Sequence, residues 1–196
     1  MRIIAGEFRG RRLLDPASDT TRPITDRAKQ SLFDILAPEL PRAIVYDCFC
    51  GTGSLGLESL SRKAKHAFFF ERDRSALRRL RQNIETLGVP ARATVVAGDL
   101  SLTLPSLTPP PEYALADVVF FDPPYRLVRD TPEMLRSLAR RLVEQHLRPT
   151  TGVLVFRHDD ADDLPLPSLV EFDRRTYGSM RIELLRAPSN TSGAGG

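Results

Sequence analysis

Largely apolar runs at 43–49, 67–71, 93–97, 118–121 and 153–156 are the feature that most restricts how this chain can fold. Helical patterns are expected between most of them, over 55–62, 74–87 and 131–145, with Gly88 as the stop of the second. Strands alternating with helices give a parallel sheet covered on both faces. Two further strands, at 170–176 and 180–185, meet at Gly178 in a turn too tight for a parallel crossover, so they must pair antiparallel. The sequence therefore predicts a mostly parallel, seven-stranded α/β sheet that ends in an antiparallel hairpin. Upstream, 2–14 reads as a short β-hairpin with glycines at 6 and 10. Residues 26–36 read as an amphipathic helix: Ala28, Leu32, Ile35 and Leu36 form its apolar face, Thr25 its N-cap, and Pro38 and Pro41 its end. Residues 16–21 and the proline-rich 105–111 are expected as loops. The expected organisation is an extension over 1–40, the sheet domain over 41–187, and a small polar tail over 188–196 that is too poor in apolar residues to order itself.

Composition removes several classes. No apolar run approaches the roughly 20 residues of a membrane span, and the opening residues carry no secretory pattern. Cys48 and Cys50, two apart, suit neither a disulfide framework nor a metal site. His66, His146 and His158 are scattered, so no metal is expected. These features point to a cytoplasmic protein without a membrane partner, and a monomer is favoured. The net charge of +3 permits a polyanionic partner. Seven of the first 30 residues are basic (Arg2, Arg9, Arg11, Arg12, Arg22, Arg27 and Lys29), against four acids. A basic N-terminal arm suits phosphate contacts that position RNA, and Arg9, Arg11, Arg12, Arg22 and Arg27 are the candidates. The basic stretch 72–81 reads as an exposed helix face, and the acids at 159–163 as a solubilising loop.

Between the first strand and its helix lies Asp47-Cys48-Phe49-Cys50-Gly51-Thr52-Gly53-Ser54-Leu55-Gly56, a G-x-G-x-x-G turn in the context of a nucleotide site. Gly51 and Gly53 can take positive φ and lack a Cβ, so a ligand can approach their backbone. Glu71 closes the second strand, where a carboxylate can accept from ribose hydroxyls. Asp99 closes the third, where it can accept from an adenine amino group. A dinucleotide would use the same turn. However, the chain has no second mononucleotide half, and Asp47 beside the turn suits a cationic ammonium better than a pyrophosphate.

The fourth apolar run leads directly into Asp122-Pro123-Pro124-Tyr125. The two prolines fix their φ angles and have no N–H to donate, so this rigid segment offers acceptors. An exocyclic amine of a nucleic-acid base is a donor. The Asp122 carboxylate and the Pro123 carbonyl can each accept one of its hydrogens, leaving the nitrogen lone pair directed outward. Tyr125 offers a face on which a base can stack. Because a duplex would hide such an amine, the target should be single-stranded, looped or flipped out.

These motifs together resemble the RsmD-type 16S ribosomal RNA (guanine-N2)-methyltransferases of bacteria. The resemblance lies in the opening Met1–Leu13, in Arg22-Pro23-Ile24-Thr25-Asp26-Arg27 with Ser31-Leu32-Phe33, in the glycine turn through Glu58, and in Asp122–Tyr125. Cys50 and Ile24 stand where that family often has alanine and threonine. The resemblance implies a Rossmann-like class I fold and S-adenosyl-L-methionine as cofactor, held by Asp47, Gly51, Gly53, Glu71 and Asp99. It implies Asp122, Pro123, Pro124 and Tyr125 as the catalytic group. The implied reaction is methyl transfer to N2 of one guanine of 16S ribosomal RNA, guanine 966, with the free RNA or the assembling small subunit as partner. Two competing readings are a related enzyme acting on DNA adenine N6 or a protein amide, and a non-enzymatic Rossmann-like RNA-binding module. The first would be expected to carry a target-recognition domain, and the second has no need of an intact Asp-Pro-Pro-Tyr.

Overall fold

In the computed structural model, which describes residues 1–16, 24–166 and 168–188, the apolar runs become one seven-stranded sheet ordered β3-β2-β1-β4-β5-β7-β6. Its parallel part consists of β1 (Ile44–Cys48), β2 (His66–Glu71), β3 (Ala93–Ala97), β4 (Val118–Phe121) and β5 (Val153–Asp159). β7 (Met180–Arg186) runs antiparallel to β5, and β6 (Val170–Tyr177) antiparallel to β7. The expected fold class is the one observed.

Every residue of the central β1 and β4 is buried, so alternate residues feed cores on both faces. Val45, Phe69 and Phe120 point to one face, covered by α1 (Asp26–Ile35), α2 (Ser54–Ser61) and α3 (Arg74–Leu87). Tyr46, Phe68 and Phe121 point to the other, covered largely by α6 (Pro132–Arg141). The chain leaves β1 toward β2 and leaves β4 toward β5, so the strand order reverses between them. Ligands of open α/β sheets bind in the crevice at such a point, at the carboxyl ends of the strands.

Local chemistry explains the helix ends. Thr25 caps α1, its Oγ1 accepting the Ala28 N–H at 3.2 Å, and Gly88 ends α3 in the left-handed region at φ 70°. Two short helices were not expected. Asp99 caps α4 (Leu100–Thr103) by accepting the Ser101 N–H at 2.9 Å. Tyr125 opens α5 (Tyr125–Asp130), where the Pro124 carbonyl accepts the Leu127 N–H at 2.8 Å. The helix expected over 131–145 stops at Arg141 and continues as a π turn, Leu142–His146. Among the described residues no helix is long and apolar enough to cross a membrane.

The N-terminal hairpin is rudimentary. Residues 2 and 12 form an isolated antiparallel bridge without regular strands, supported by Ile3 N–H to Arg11 O at 2.9 Å and Leu13 N–H to Met1 O at 3.0 Å. Turns centred on Gly6 and Gly10, both at positive φ, consume the residues that would lengthen it. What holds this arm is α2. The fully buried Glu58 accepts the Ile4 and Ala5 N–H groups at 2.7 and 3.0 Å and the Arg62 Nε at 2.9 Å. Lys29 Nζ lies 3.8 Å from Glu58 and donates to Arg2 O at 2.6 Å and Ser54 Oγ at 3.1 Å. Lys29 is therefore a buried strut and not part of a basic RNA-facing arm. It lies on the face of α1 that carries Ala28, Leu32 and Phe33, and the core takes that whole face. Of the 16–21 loop only Pro16 is described, and of the 188–196 tail only Pro188.

Candidate active site

A cleft of about 740 Å³ opens at the carboxyl ends of β1, β2, β4 and β5. Except for Gly53, every residue expected in the cofactor and catalytic sets lines it: Asp47, Gly51, Glu71 and Asp99 on one side, Asp122 to Tyr125 on the other. The glycines divide their work. At Gly51, φ is 56° and an added Cβ would meet no protein atom within 4 Å, so its bare backbone faces the open cleft. A Cβ on Gly53 would lie 2.4 Å from Leu80, and one on Gly56 2.3 Å from the Phe69 ring. These two glycines let the turn and α2 pack onto the sheet. Phe49, just before the turn, also lies at positive φ, 60°, a conformation costly for a side chain of its size.

The three acids differ in their remaining capacity. Asp47 is sealed within the end of β1, its Oδ2 accepting the Gly56 N–H at 2.8 Å. Burial pushes its carboxyl up to about 8, and the neighbouring carboxylates Asp122 and Glu71 add to the rise against the Gly56 hydrogen bond. Such a group welcomes a cation. Glu71 already accepts three backbone N–H groups, from Gly51 at Oε2 and from Arg72 and Asp73 at Oε1, each at 2.8 Å. Of its roughly four acceptor positions, one on Oε2 remains for a hydroxyl. Asp99 is held below the usual carboxylate range, first by the Ser101 hydroxyl, and stays ionised. Its Oδ1 serves Ser101 and its Oδ2 accepts from Arg72 at 2.9 Å, so one position on Oδ2 is left for a ligand's amino group. A cationic ammonium, a ribose and an adenine each find a suitable group in this half of the cleft.

The other half is built on the end of β4. The Asp122 N–H donates to Cys48 O at 3.4 Å, which holds it beside the end of β1. The Asp122 carboxylate is paired with Arg157 at 2.7 Å. Pro123 is buried and Pro124 exposed. The Pro124 carbonyl is committed to α5, whereas among the described residues the Pro123 carbonyl takes part in no backbone hydrogen bond. Tyr125 is half-buried on the cleft wall.

Among the described residues, the arginines of the arm do not enter this cleft. Arg9, Arg11, Arg12 and Arg27 are exposed and none lines it, and Arg22 lies outside the described residues. The acidic loop is not merely solubilising. Arg129 of α5 pairs with Asp162 at 2.7 Å and with Asp159 at 3.6 Å, and Arg181 pairs with Asp160 at 2.7 Å. Among the cleft residues that escaped the sequence reading are two arginines next to the Asp-Pro-Pro-Tyr segment. Arg126, 88% exposed, stands at the mouth beside Tyr125. Arg157 had a visible signal: it follows the apolar run of β5 as Asp122 follows that of β4. The register pairs Phe121 with Phe156, so the two charges emerge side by side.

A doubly wound sheet with an antiparallel end, a glycine turn after β1 and Asp-Pro-Pro-Tyr after β4 define a class I, S-adenosylmethionine-dependent methyltransferase. The fold matches that of yhhF from Escherichia coli with a TM-score of 0.77, at 30% identity over 95% of this chain and 97% of that one. It also resembles in fold an RNA methyltransferase from Salinibacter ruber solved with S-adenosyl-L-homocysteine, with a TM-score of 0.63 at 16% identity over 86% and 95% of the two chains. The model of the family described as Conserved hypothetical protein 95 matches residues 1–186. YlbH of Bacillus subtilis is 32% identical over 188 residues, covering 95% of this chain and 98% of that one. Ribosomal RNA small subunit methyltransferase D of Escherichia coli is 40% identical over 139 residues, 70% and 67% of the two chains. The chain belongs to this RsmD-type methyltransferase family.

Proposed function

We propose that this chain transfers a methyl group from S-adenosyl-L-methionine to the exocyclic N2 of one guanine of 16S ribosomal RNA, guanine 966, as a modification step of small-subunit biogenesis. The observation that carries the reading is the opening of Asp122 and Pro123 into the cleft that Gly51, Glu71 and Asp99 line. The names of the relatives support ribosomal RNA as the substrate class. When bound, the sulfonium cofactor supplies a methyl group already activated for transfer, so the protein's task is mainly alignment. Asp47 faces the cofactor's ammonium, Glu71 its ribose and Asp99 its adenine, with the Gly51 backbone against the ligand. Asp122 and the Pro123 carbonyl each accept a hydrogen of the guanine amine. Pro124 fixes the segment's direction into α5, and Tyr125 stacks on the extruded base. The Asp122 carboxylate also faces the positive charge that develops on the amine nitrogen. Arg9, Arg11, Arg12, Arg22 and Arg27 hold RNA phosphates away from the chemistry. The setting is the cytoplasm, with the chain acting as a monomer.

Transfer of radiolabelled methyl groups to deproteinised 16S RNA and to assembled small subunits, with the product nucleoside identified by mass spectrometry, tests this reading. N2-methylguanosine at one position is the expected product. N6-methyladenosine in DNA or a methylated protein amide would move the activity to the related enzymes that share Asp-Pro-Pro-Tyr. RNA binding with no transfer to any acceptor would make the chain a binding module.

A further inference from the structure

The cleft contains a cation that recognition of the cofactor and the target amine does not require. Arg157 lies on β5 one residue past Phe156, which is paired with Phe121 of β4, so Arg157 stands beside Asp122 on the neighbouring strand. Its Nε donates to Asp122 Oδ1 at 2.7 Å, with side chains only 12% and 14% exposed. A guanidinium removed that far from water is costly unless its partner is well placed. Its other end is also held: Nη1 lies 3.5 Å from Met180 Sδ, at the start of β7, and β7 pairs with β5 along its whole length. Two strands of the sheet thus fix the guanidinium, and the guanidinium in turn meets one oxygen of the carboxylate.

We infer that Arg157 is the positioning residue of the Asp-Pro-Pro-Tyr centre: by holding Oδ1 it fixes the plane of the Asp122 carboxylate and leaves Oδ2 to accept from the target amine. The inference rests on the methyl-transfer reading above. An aspartate carboxylate turns about two bonds, and each orientation sends the bound amine's lone pair in a different direction. Transfer needs that lone pair in line with the methyl carbon. A displacement of about 1 Å at such a centre costs on the order of a hundredfold in rate. Arg157 also supplies a countercharge for the two carboxylates of this corner, since it acts favourably on Asp47 as well as on Asp122.

The test is a double-mutant cycle on Arg157→Gln and Asp122→Asn, read in single-turnover methylation at saturating RNA and cofactor. Arg157→Gln should lower the rate constant on the order of a hundredfold, with the RNA concentration for half-saturation nearly unchanged. Arg157→Lys should recover part of the rate, because an ammonium can still reach Oδ1 although without the fork. In the Asp122→Asn background, Arg157→Gln should cost little more, because the charge it orients is gone. The same fold-loss in both backgrounds, or a loss confined to RNA affinity, would overturn the inference. Should Arg157→Gln fail to fold, Arg157→Lys, which keeps the charge, carries the same comparison through the cycle. A wild-type product other than N2-methylguanosine would overturn the guanine reading while the cycle still decided the role of Arg157.

Discussion

Binding of S-adenosylhomocysteine should tighten steeply between pH 6 and pH 8, because Asp47 must lose a proton to receive the ligand's ammonium. The perturbation is the pH itself, and its magnitude follows from the site. Burial, opposed by the Gly56 N–H, pushes the Asp47 carboxyl from its ordinary 3.8 to about 8. At pH 6 about 1% of the free protein then has this group ionised, and at pH 8 about half. If the ionised form is the one that binds, affinity rises roughly fiftyfold over this interval, about 2.3 kcal/mol, and levels off above it. Near pH 7 binding should release nearly one proton. The same shift governs stability. The unfolded chain loses this proton near pH 4 and the folded chain keeps it to about 8. The folded state thus holds the extra proton throughout that window, and its advantage, full below pH 4, is lost as pH rises to 8. The whole window is worth about 6 kcal/mol. Asp47→Asn retains an acceptor for the Gly56 N–H but cannot titrate. Its melting temperature should therefore gain on the wild type from pH 5 to pH 8, while its affinity for the ligand loses its pH dependence. Calorimetric titration at pH 6, 7 and 8 in two buffers of different ionisation enthalpy measures both affinity and proton release. An affinity that stayed flat over this range with no proton released would refute the reasoning, for Asp47 would then be ionised already or turned away from the ammonium.

The remaining predictions concern the other groups of the cleft and the arm. Asp122→Ala should reduce the single-turnover rate on the order of a hundredfold while S-adenosylhomocysteine still binds, and Asp122→Asn should cost less; near wild-type rates in the alanine variant would make the segment a structural loop. The alanine also strands the buried Arg157 guanidinium, so its melting temperature should fall where that of the asparagine variant falls less. Tyr125→Ala should raise the RNA concentration required, by an amount equivalent to about 1–3 kcal/mol of stacking, and an unchanged requirement would take the ring out of base recognition. Replacing Arg9, Arg11 and Arg12 together by alanine should weaken RNA binding and flatten its salt dependence without changing cofactor affinity; an unchanged salt slope would leave them a solvated face. Glu58→Ala should destabilise the fold by about 3–5 kcal/mol in urea titrations, since it strands two cations and two backbone N–H groups, and a loss below about 1 kcal/mol would refute that account of the arm.

What could be read in advance depended on how local its cause was. The strands were legible because both faces of this sheet are covered, which makes β4 an uninterrupted apolar run and β1 one broken only by Asp47. The glycine turn and Asp122 were legible because strand ends mark the cleft in any sheet of this kind. Asp122 and Arg157 stand at the same offset from their apolar runs, yet only the acid was recognised. An arginine after a strand reads as a surface residue until its partner is known, and that partner is 35 residues away, brought alongside by the pairing of β4 with β5. Lys29 was misread for the opposite reason. It stands in a stretch rich in charged and polar residues, between Arg27 and Gln30, but its neighbours along the α1 face are Ala28, Leu32 and Phe33, so helical periodicity already placed it inside. Its burial changes how the arm is understood. Glu58 lies on the helix that the glycine turn begins, Lys29 reaches from α1 to Ser54 at the start of that helix, and the Ile4 and Ala5 amides close on Glu58 from the arm. The segment that carries Arg9, Arg11 and Arg12 is thus tied through one buried carboxylate to the helix that begins at the edge of the cleft. If those arginines hold RNA as proposed, the RNA is held in a fixed relation to the cleft, which alignment-limited transfer demands.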